Sequence, residues 1–293
     1  MTTFGARVHH AMRERGPLCA GIDPHSVLLH DWGLDDDLAG LERFALTAVE
    51  GLAPYVAVVK PQSAFYERFG SRGVAVVKPQ SAFYERFGSR GIAVLERLVT
   101  TCRDAGALVL LDVKRGDIGS TSQAYADAYL DQSSPLAVDA ITASPYLGFG
   151  SLEPMFATAR RHDAGVFVLA LTSNQEGPEV QEARTGEGSG GTVADSVLDH
   201  LRALNTGSEP LGSFGAVIGA TIDGAGHRLD IDGPVLAPGY GAQGGTVDDL
   251  RRIFGAGVAH VLPSTSRELL REGPDRLGEA ADRLNDRLRQ LGA

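Results

Sequence analysis

Eight short apolar runs, most of them followed by an amphipathic stretch, constrain this chain more than any other feature. They lie at 18–23 (LCAGID), 56–60 or 74–78 (VAVVK), 108–114 (LVLLDVK), 138–144 (VDAITAS), 165–173 (GVFVLALTS), 214–220 (FGAVIGA), 234–239 (PVLAPG) and 258–264 (VAHVLPS). Each is short, rich in β-branched residues and bounded by Gly, Pro, Asp or Ser, so each reads as a strand. Helical periodicity fills the intervals at 37–52, 91–106, 120–130, 151–162, 191–204, 246–255 and 266–273. Ser120, Ser151, Thr192, Thr246 and Ser266 stand where N-caps belong. Only the interval TIDGAGHRLDIDG (221–233) is too poor in apolar residues for a full helix. Near-continuous apolar strands alternating with helices predict parallel strands buried on both faces. Eight such units in 293 residues predict a single-domain (β/α)₈ TIM barrel over residues 1–293. A doubly wound open sheet is the structural alternative. The last stretch, 275–293, reads as an outer helix.

In a barrel of this kind the chemistry sits at the C-terminal strand ends. The polar residues of this chain gather there: Asp23, the lysine ending VAVVK, Asp112 with Lys114, Ser144, Ser173 with Asn174, Gln243 and Arg267. A polar βα turn accounts for one or two such groups. It accounts poorly for lysines and acids that directly follow fully apolar runs.

The segment DVKRGD concentrates the charge. Strand side chains alternate, so Asp112 and Lys114 are expected on one face, the interior mouth, with Asp117 on the loop beyond. For a bare DxKxxD, a strand-end ion pair is the simpler reading. Strand 2 changes the balance, because consecutive strands usually pair and its lysine would join the group. Alternating lysines and aspartates hold one another ionised, and a lysine fixed by carboxylates can serve as a general acid.

The formal net charge of −10 argues against nucleic acid or an anionic membrane as the main partner, so an anionic substrate needs a local basic pocket. Cys19 and Cys102 lie far apart with no CxxC spacing, and read as buried thiols in a reducing compartment. The N-terminus has no apolar core of signal length, and no apolar run reaches membrane-spanning length. The expectation is a cytoplasmic protein. The histidines show no HxH or HExxH spacing, which argues against a metal site; His9-His10 reads as a solvated helix start.

Six motifs, in order, carry a family resemblance: GIDPH (21–25), VVKPQSAFYERFG, DVKRGDIGSTSQAYA, TASPYLGFGS (142–151), LALTSNQEG (169–177) and PGYGAQGG (238–245). Together they resemble the orotidine 5′-phosphate decarboxylases, in the bacterial subgroup with the DxKRGDIGxT signature, over essentially the whole chain. The resemblance implies a homodimeric (β/α)₈ barrel with shared active sites. It implies conversion of orotidine 5′-monophosphate to uridine 5′-monophosphate and CO₂, a step of pyrimidine biosynthesis, with no metal or organic cofactor. It implies Lys114 as proton donor to C6, Asp112 beside the substrate carboxylate, and Asp117 as the acid lent across the dimer, with Ile118 and Thr121 beside it. The strand-2 lysine, Lys60 or Lys78, would complete the tetrad, and Asp23 would bind ribose. Ser173 and Asn174 resemble residues that recognise the base, and Arg267 resembles the phosphate arginine. The chemistry agrees, since an ammonium fixed beside C6 stabilises the developing carbanion and then protonates it. A phosphate anchor would supply remote binding energy.

PGYGAQGG also fits GxGxxG, a weak motif on its own. A dinucleotide fold would place it in a first βα unit with an acid downstream. Here it follows the penultimate strand, where barrels commonly bind phosphate through backbone N–H groups. Gly241, Gln243 and Gly244 are the candidates; turn geometry alone also explains the glycines. The glycine-rich stretch 174–191 is expected to form a lid, with a plain surface loop as the alternative.

An 18-residue segment, VAVVKPQSAFYERFGSRG, occurs twice in tandem, at 56–73 and 74–91. Natural repeats diverge and come in several units, so this is not a solenoid. Slippage between VAVV (56–59) and IAVL (92–95) would produce it, as would an artefact. A barrel has room for one copy as strand 2, and the other must be extruded. An extrusion on the face opposite the catalytic mouth favours Lys78 as the strand lysine. Two rival functions stay open. One is a Schiff-base phosphosugar aldolase using Lys114, against which the flanking acids argue. The other is a non-catalytic nucleotide-binding barrel inactivated by the insertion.

Overall fold

In the computed structural model, which describes residues 2–52, 76–186, 191–224 and 226–292, eight parallel strands close into a barrel in sequence order. They are β1 (Cys19–Ile22), β2 (Val76–Pro79), β3 (Leu108–Arg115), β4 (Ala140–Ala143), β5 (Gly165–Leu171), β6 (Phe214–Ile218), β7 (Val235–Pro238) and β8 (Val261–Thr265). Closure comes from β1 pairing with both β2 and β8. The open-sheet alternative is thereby replaced by the TIM barrel. Strand 2 begins at Val76 and carries Lys78; Lys60 and the whole first repeat copy lie outside the described residues.

The first element is one that the strand-and-helix alternation does not anticipate. Helix α1 (Phe4–Arg15) places Phe4, Val8, Ala11 and Met12 on one face, at helical spacing, and buries all four. They pack on the apolar lower layer of the barrel interior, formed by Cys19, Val76, Leu110, Ala140, Phe167, Val217, Leu236 and Leu262. The Phe4 ring meets Phe167 edge-on at 6.0 Å. A side chain at Gly165 would collide with Phe4, its Cβ only 2.4 Å from the ring. His9 and His10 therefore sit within a helix rather than at the start of one.

The other helices follow the strands: α2 (Ser26–Asp31) and α3 (Leu38–Leu52) after β1; α4 (Ala82–Glu85) and α5 (Gly88–Asp104) after β2; α6 (Gly119–Leu130) after β3; and α7 (Glu153–Arg161) after β4. Helices α8 (Pro178–Gln181) and α9 (Val193–Asn205) follow β5, α10 (Val247–Phe254) follows β7, and α11 (Arg267–Leu270) and α12 (Leu277–Leu288) follow β8. The connection after β6 has no helix among its described residues. Thr192 and Thr246 form capping boxes with Asp195 and Asp249, each worth about 0.5–2 kcal/mol. Ser120 instead lies inside the first turn of α6, and Ser151 lies in a 3₁₀ turn leading into α7. In both places the chain turns helical before the serine, so it cannot cap. Ser266 does precede α11, but its side chain makes no capping bond. Among the described residues, no helix is long and apolar enough to cross a membrane.

Candidate active site

Above the apolar lower layer, the interior positions two residues further along the strands change character. They are Gly21, Lys78, Asp112, Thr142 and Ser264, with Leu169, Gly219 and Pro238 on the far side. Because α1 covers the lower end, this polar layer faces the open C-terminal mouth.

Asp112 lies at the centre. Its Oδ2 accepts from Lys78 Nζ at 3.0 Å, and its Oδ1 accepts from Lys114 Nζ at 2.5 Å and from Thr142 Oγ1 at 2.8 Å. The side chains of Lys78 and Asp112 are 7% and 9% exposed, whereas that of Lys114 is 44% exposed and reaches into the mouth. Burial alone would raise the Asp112 pKa; the ammonium groups of Lys78 and Lys114 outweigh it and bring it to about 2. Burial likewise opposes the charge on Lys78, but Asp23 and Asp112 more than compensate and move its pKa upward. Lys78 and Asp112 are therefore both charged at neutral pH despite their burial. Lys114 arrives there by a route that simple alternation does not foresee: its φ is +44°, in the left-handed region.

Two depressions open beside this cluster. One, of about 240 Å³, is lined by Lys78, Asp112, Lys114, Ser173, Asn174 and the apolar pair Leu169 and Val217. The other, of about 340 Å³, is lined by Asp23, Gln243 and Arg267, and by His25, Phe83, Thr265 and Ser266. They meet where Gln80, at the rim of the larger one, accepts a long 3.4 Å contact from Lys114 Nζ. Asp23 Oδ1, Thr265 Oγ1 and Ser266 Oγ are buried without a protein partner, as polar atoms reserved for a ligand would be.

The candidates at the seventh strand divide. The Gly241 N–H donates to Gly245 O and the Gly244 N–H to Gly241 O, so both are spent on the turn. Gln243 lines the pocket together with Ala242. Gly241 also has φ +73° and lies under Glu268, whose carboxylate a Cβ would strike, so turn geometry accounts for this glycine. Asp117 forms no ion pair among the described residues; its Oδ1 accepts the N–H of Ile118 at 2.7 Å. Ile118 is 62% exposed, and Thr121 is also on the surface. Asp117, Ile118 and Thr121 line neither depression. Thr142 and Gln80 were not among the sequence candidates. Thr142 shares the strand parity of Ser144, which was the available signal.

The loop after β5 is tied down from both ends. Thr172 Oγ1 donates to Asn174 Oδ1 at 2.6 Å, and Gln181 accepts the Thr172 N–H at 2.9 Å. Farther on, His227 bridges Asp195 (2.8 Å) and Glu182 (3.1 Å). Burial disfavours its charge, but Asp195 and Glu182 outweigh this and hold its pKa above the ordinary 6.5. A raised native pKa contributes stability that is complete below the unfolded value and is lost as pH rises through the native one. The melting temperature of His227→Gln should thus fall furthest below wild type on the acid side of pH 6.5, with the gap narrowing as pH rises above it. Thermal denaturation on both sides of that pH is the check, and a pH-independent gap would contradict it.

Comparison with known proteins places the chain among characterised relatives. A curated Nocardioides orotidine 5′-phosphate decarboxylase is 64% identical over 291 residues, spanning 99% of this chain and all of the relative. One from Streptomyces coelicolor is 56% identical over 286 residues, covering 97% of this chain and 96% of its own. The crystal structure of a Streptomyces avermitilis protein assigned to the same enzyme superposes with a TM-score of 0.91 at 56% identity, covering 100% of this chain and 97% of that one. The OMP decarboxylase of Leishmania donovani superposes at 0.73 with 28% identity, covering 99% and 98%. With residues 16–276 also matching the family model, the chain belongs to the orotidine 5′-phosphate decarboxylase / HUMPS family.

Proposed function

We propose that the Lys78–Asp112–Lys114 cluster carries out the reaction of this chain, the decarboxylation of orotidine 5′-monophosphate to uridine 5′-monophosphate and CO₂ in pyrimidine biosynthesis. The observation that carries the assignment of roles is a charged, buried carboxylate held between two ammonium groups at the mouth of the barrel. The pyrimidine occupies the smaller depression, with Ser173 and Asn174 at its polar edge and Leu169 and Val217 against its face. Ribose and phosphate extend into the larger one, where Asp23 offers an unpartnered oxygen to ribose hydroxyls and Arg267 supplies the cation for phosphate. Gln243 supports the phosphate from the seventh-strand loop.

Asp112, ionised at neutral pH, lies beside the substrate carboxylate and disfavours its charge. The C6–carboxylate bond breaks, CO₂ leaves, and the electron pair stays on C6. The Lys114 ammonium stabilises that charge and transfers a proton to it, giving the product; solvent then restores the lysine. Charge fixed in advance in a site shielded from water acts most strongly on charge that develops only in the transition state. The second repeat copy supplies Lys78 to the cluster, so the insertion leaves the ionic group complete and favours a catalytic over a merely binding barrel. Loss of the orotidine monophosphate absorbance, against accumulation of uridine monophosphate, is the direct test; binding without turnover would overturn it.

Asp117 is the acid that a homodimer would lend to the neighbouring site. Its support is a position outside its own cluster, beside Ile118, an apolar side chain that is 62% exposed. Mixing inactive Asp117→Asn protein with inactive Lys114→Ala protein should then restore activity by subunit exchange, because one hybrid site carries neither change. Verified heterodimers that recover nothing would place Asp117 in service of its own chain.

A further inference from the structure

The pairing of β3 with β4 breaks register once. Leu110 pairs with Ala140 and Leu111 with Ile141, but the next pair is Arg115 with Ala143. Three residues of β3, Asp112, Val113 and Lys114, therefore stand opposite the single residue Thr142. A bulge of this kind re-aims a side chain and leaves backbone groups of the bulged strand without ladder partners. Lys114 is the residue bent out of line, at φ +44°. Left-handed backbone is sparsely populated by residues with a Cβ, and it persists where the surroundings over-determine it.

Thr142 is what fills the gap. It is 1% exposed, and its backbone continues the regular ladder to Phe167 on the other side. Its Oγ1 accepts the Lys114 N–H at 2.9 Å, the group that the bulge strips of a strand partner. The same hydroxyl donates its proton to Asp112 Oδ1 at 2.8 Å, the oxygen that also receives Lys114 Nζ at 2.5 Å. One hydroxyl thus closes a ring: Lys114 backbone to Thr142, Thr142 to Asp112, and Asp112 back to the Lys114 ammonium. A hydroxyl has one donor and two acceptor sites, and here the direction of the bonds is fixed by its partners, since a carboxylate can only accept and an N–H can only donate. Gln80, the other polar group at the ammonium, stands at a long 3.4 Å and cannot set the backbone.

We propose that Thr142 is a positioning residue: through this ring its hydroxyl fixes the lysine in its left-handed conformation and aims the ammonium and the carboxylate at a common point. The inference rests on the assignment of Lys114 and Asp112 made above and extends it to Thr142, which lines the floor of the same depression and acts through those two side chains. The ring includes the carboxylate and the ammonium themselves and none of the residues assigned to phosphate or ribose, so it acts on the geometry of the proton donor rather than on affinity for those groups.

Two variants test it. Thr142→Val keeps the β-branched shape that suits a central strand and removes only the hydroxyl. Thr142→Ser keeps the hydroxyl and removes the methyl group. Both should melt cooperatively. The expected result is a kcat for Thr142→Val at least roughly tenfold below wild type, about 1.4 kcal/mol of barrier, with KM changed by less than about threefold. Thr142→Ser should stay within about threefold of wild type in both. A general loosening of the barrel would move KM too and would not be rescued by serine. Equal kcat in Thr142→Val and wild type, or an equal loss in both variants, would overturn the proposal. A crystal structure of Thr142→Val supplies a readout independent of the reaction: Lys114 should leave positive φ and its ammonium should part from Asp112. Retention of both features would overturn the positioning role even if activity fell. Failure of wild type itself to decarboxylate orotidine monophosphate would instead overturn the functional reading, and leave the structural comparison to decide the role of Thr142.

Discussion

Lys114→Ala should lower kcat by roughly 10³-fold or more, about 4 kcal/mol of barrier, while uridine monophosphate still binds. Two contributions vanish together with the side chain. One is the fixed positive charge beside C6, and a single preorganised electrostatic group is commonly worth about 10²–10³ in rate. The other is the proton itself, which must then come from water. Folding should survive, because the side chain is 44% exposed and Asp112 keeps both Lys78 and Thr142. Affinity should largely survive as well, because Arg267, Asp23 and Ser173 lie in other parts of the two depressions. Steady-state turnover and calorimetric binding of uridine monophosphate separate these effects. A variant that keeps more than about a tenth of wild-type kcat would end the proton-donor role. A variant that loses kcat and product binding in proportion would make Lys114 a binding group instead.

The barrel is legible in the sequence because its strands are short, apolar on both faces and separated by clear turn residues. The charged end is legible for the same reason: Asp112 after LVLL and a lysine after VAVV are conspicuous in apolar company. What local pattern cannot supply is any feature that depends on the neighbouring strand. The bulge at 112–114 exists only in the pairing of β3 with β4, so the shared face of Asp112 and Lys114 can be foreseen but its geometry cannot. Thr142 sits unmarked inside an apolar run, although its parity with Ser144 points to the interior. Helix α1 is hidden for a different reason. Phe4, Val8, Ala11 and Met12 are helically spaced, but the charged and histidine side chains interleaved with them obscure the period. The glycines at 241 and 244 fit a turn from sequence alone, while their N–H groups, spent inside that turn, can be counted only in three dimensions.

The tandem repeat gives the sharpest remaining contrast: Lys78→Ala should lose activity by roughly 10²-fold or more, whereas Lys60→Ala should keep it. Four contacts hold the second copy in the strand-2 position. Lys78 meets Asp112 at 3.0 Å, Glu85 meets Arg115 at 2.5 Å, Arg86 binds Asp36, and Phe83 packs edge-on against His25 at 4.6 Å. None of these selects a copy, because the first one carries the same side chains at Lys60, Glu67, Arg68 and Phe65. Selection comes from the chain just C-terminal to the repeat. Helix α5 starts within the second copy and continues into IAVLERLVTTC, burying Val94, Leu95, Leu98, Val99 and Cys102. Were the first copy to form strand 2 and continue directly, every residue would move by the 18-residue repeat. Pro79 would then take the place of Arg97, in the helix interior, where proline costs about 3 kcal/mol or more. Lys78 would replace Glu96, and the apolar face beyond it would be lost. Avoiding the proline by extruding the second copy would put the extra residues at the catalytic mouth, between β2 and α5. Loop-closure entropy is nearly indifferent to the choice, since the extruded length is the same. Removing Lys78 also leaves Asp112 short of one buried partner, a change that typically destabilises by about 3–5 kcal/mol. Melting curves therefore provide a second reading of which copy is in the strand, since Lys60→Ala should leave them unchanged. Activity lost in Lys60→Ala and kept in Lys78→Ala would reverse the assignment, and two active, stable variants would mean that either copy can serve as the strand.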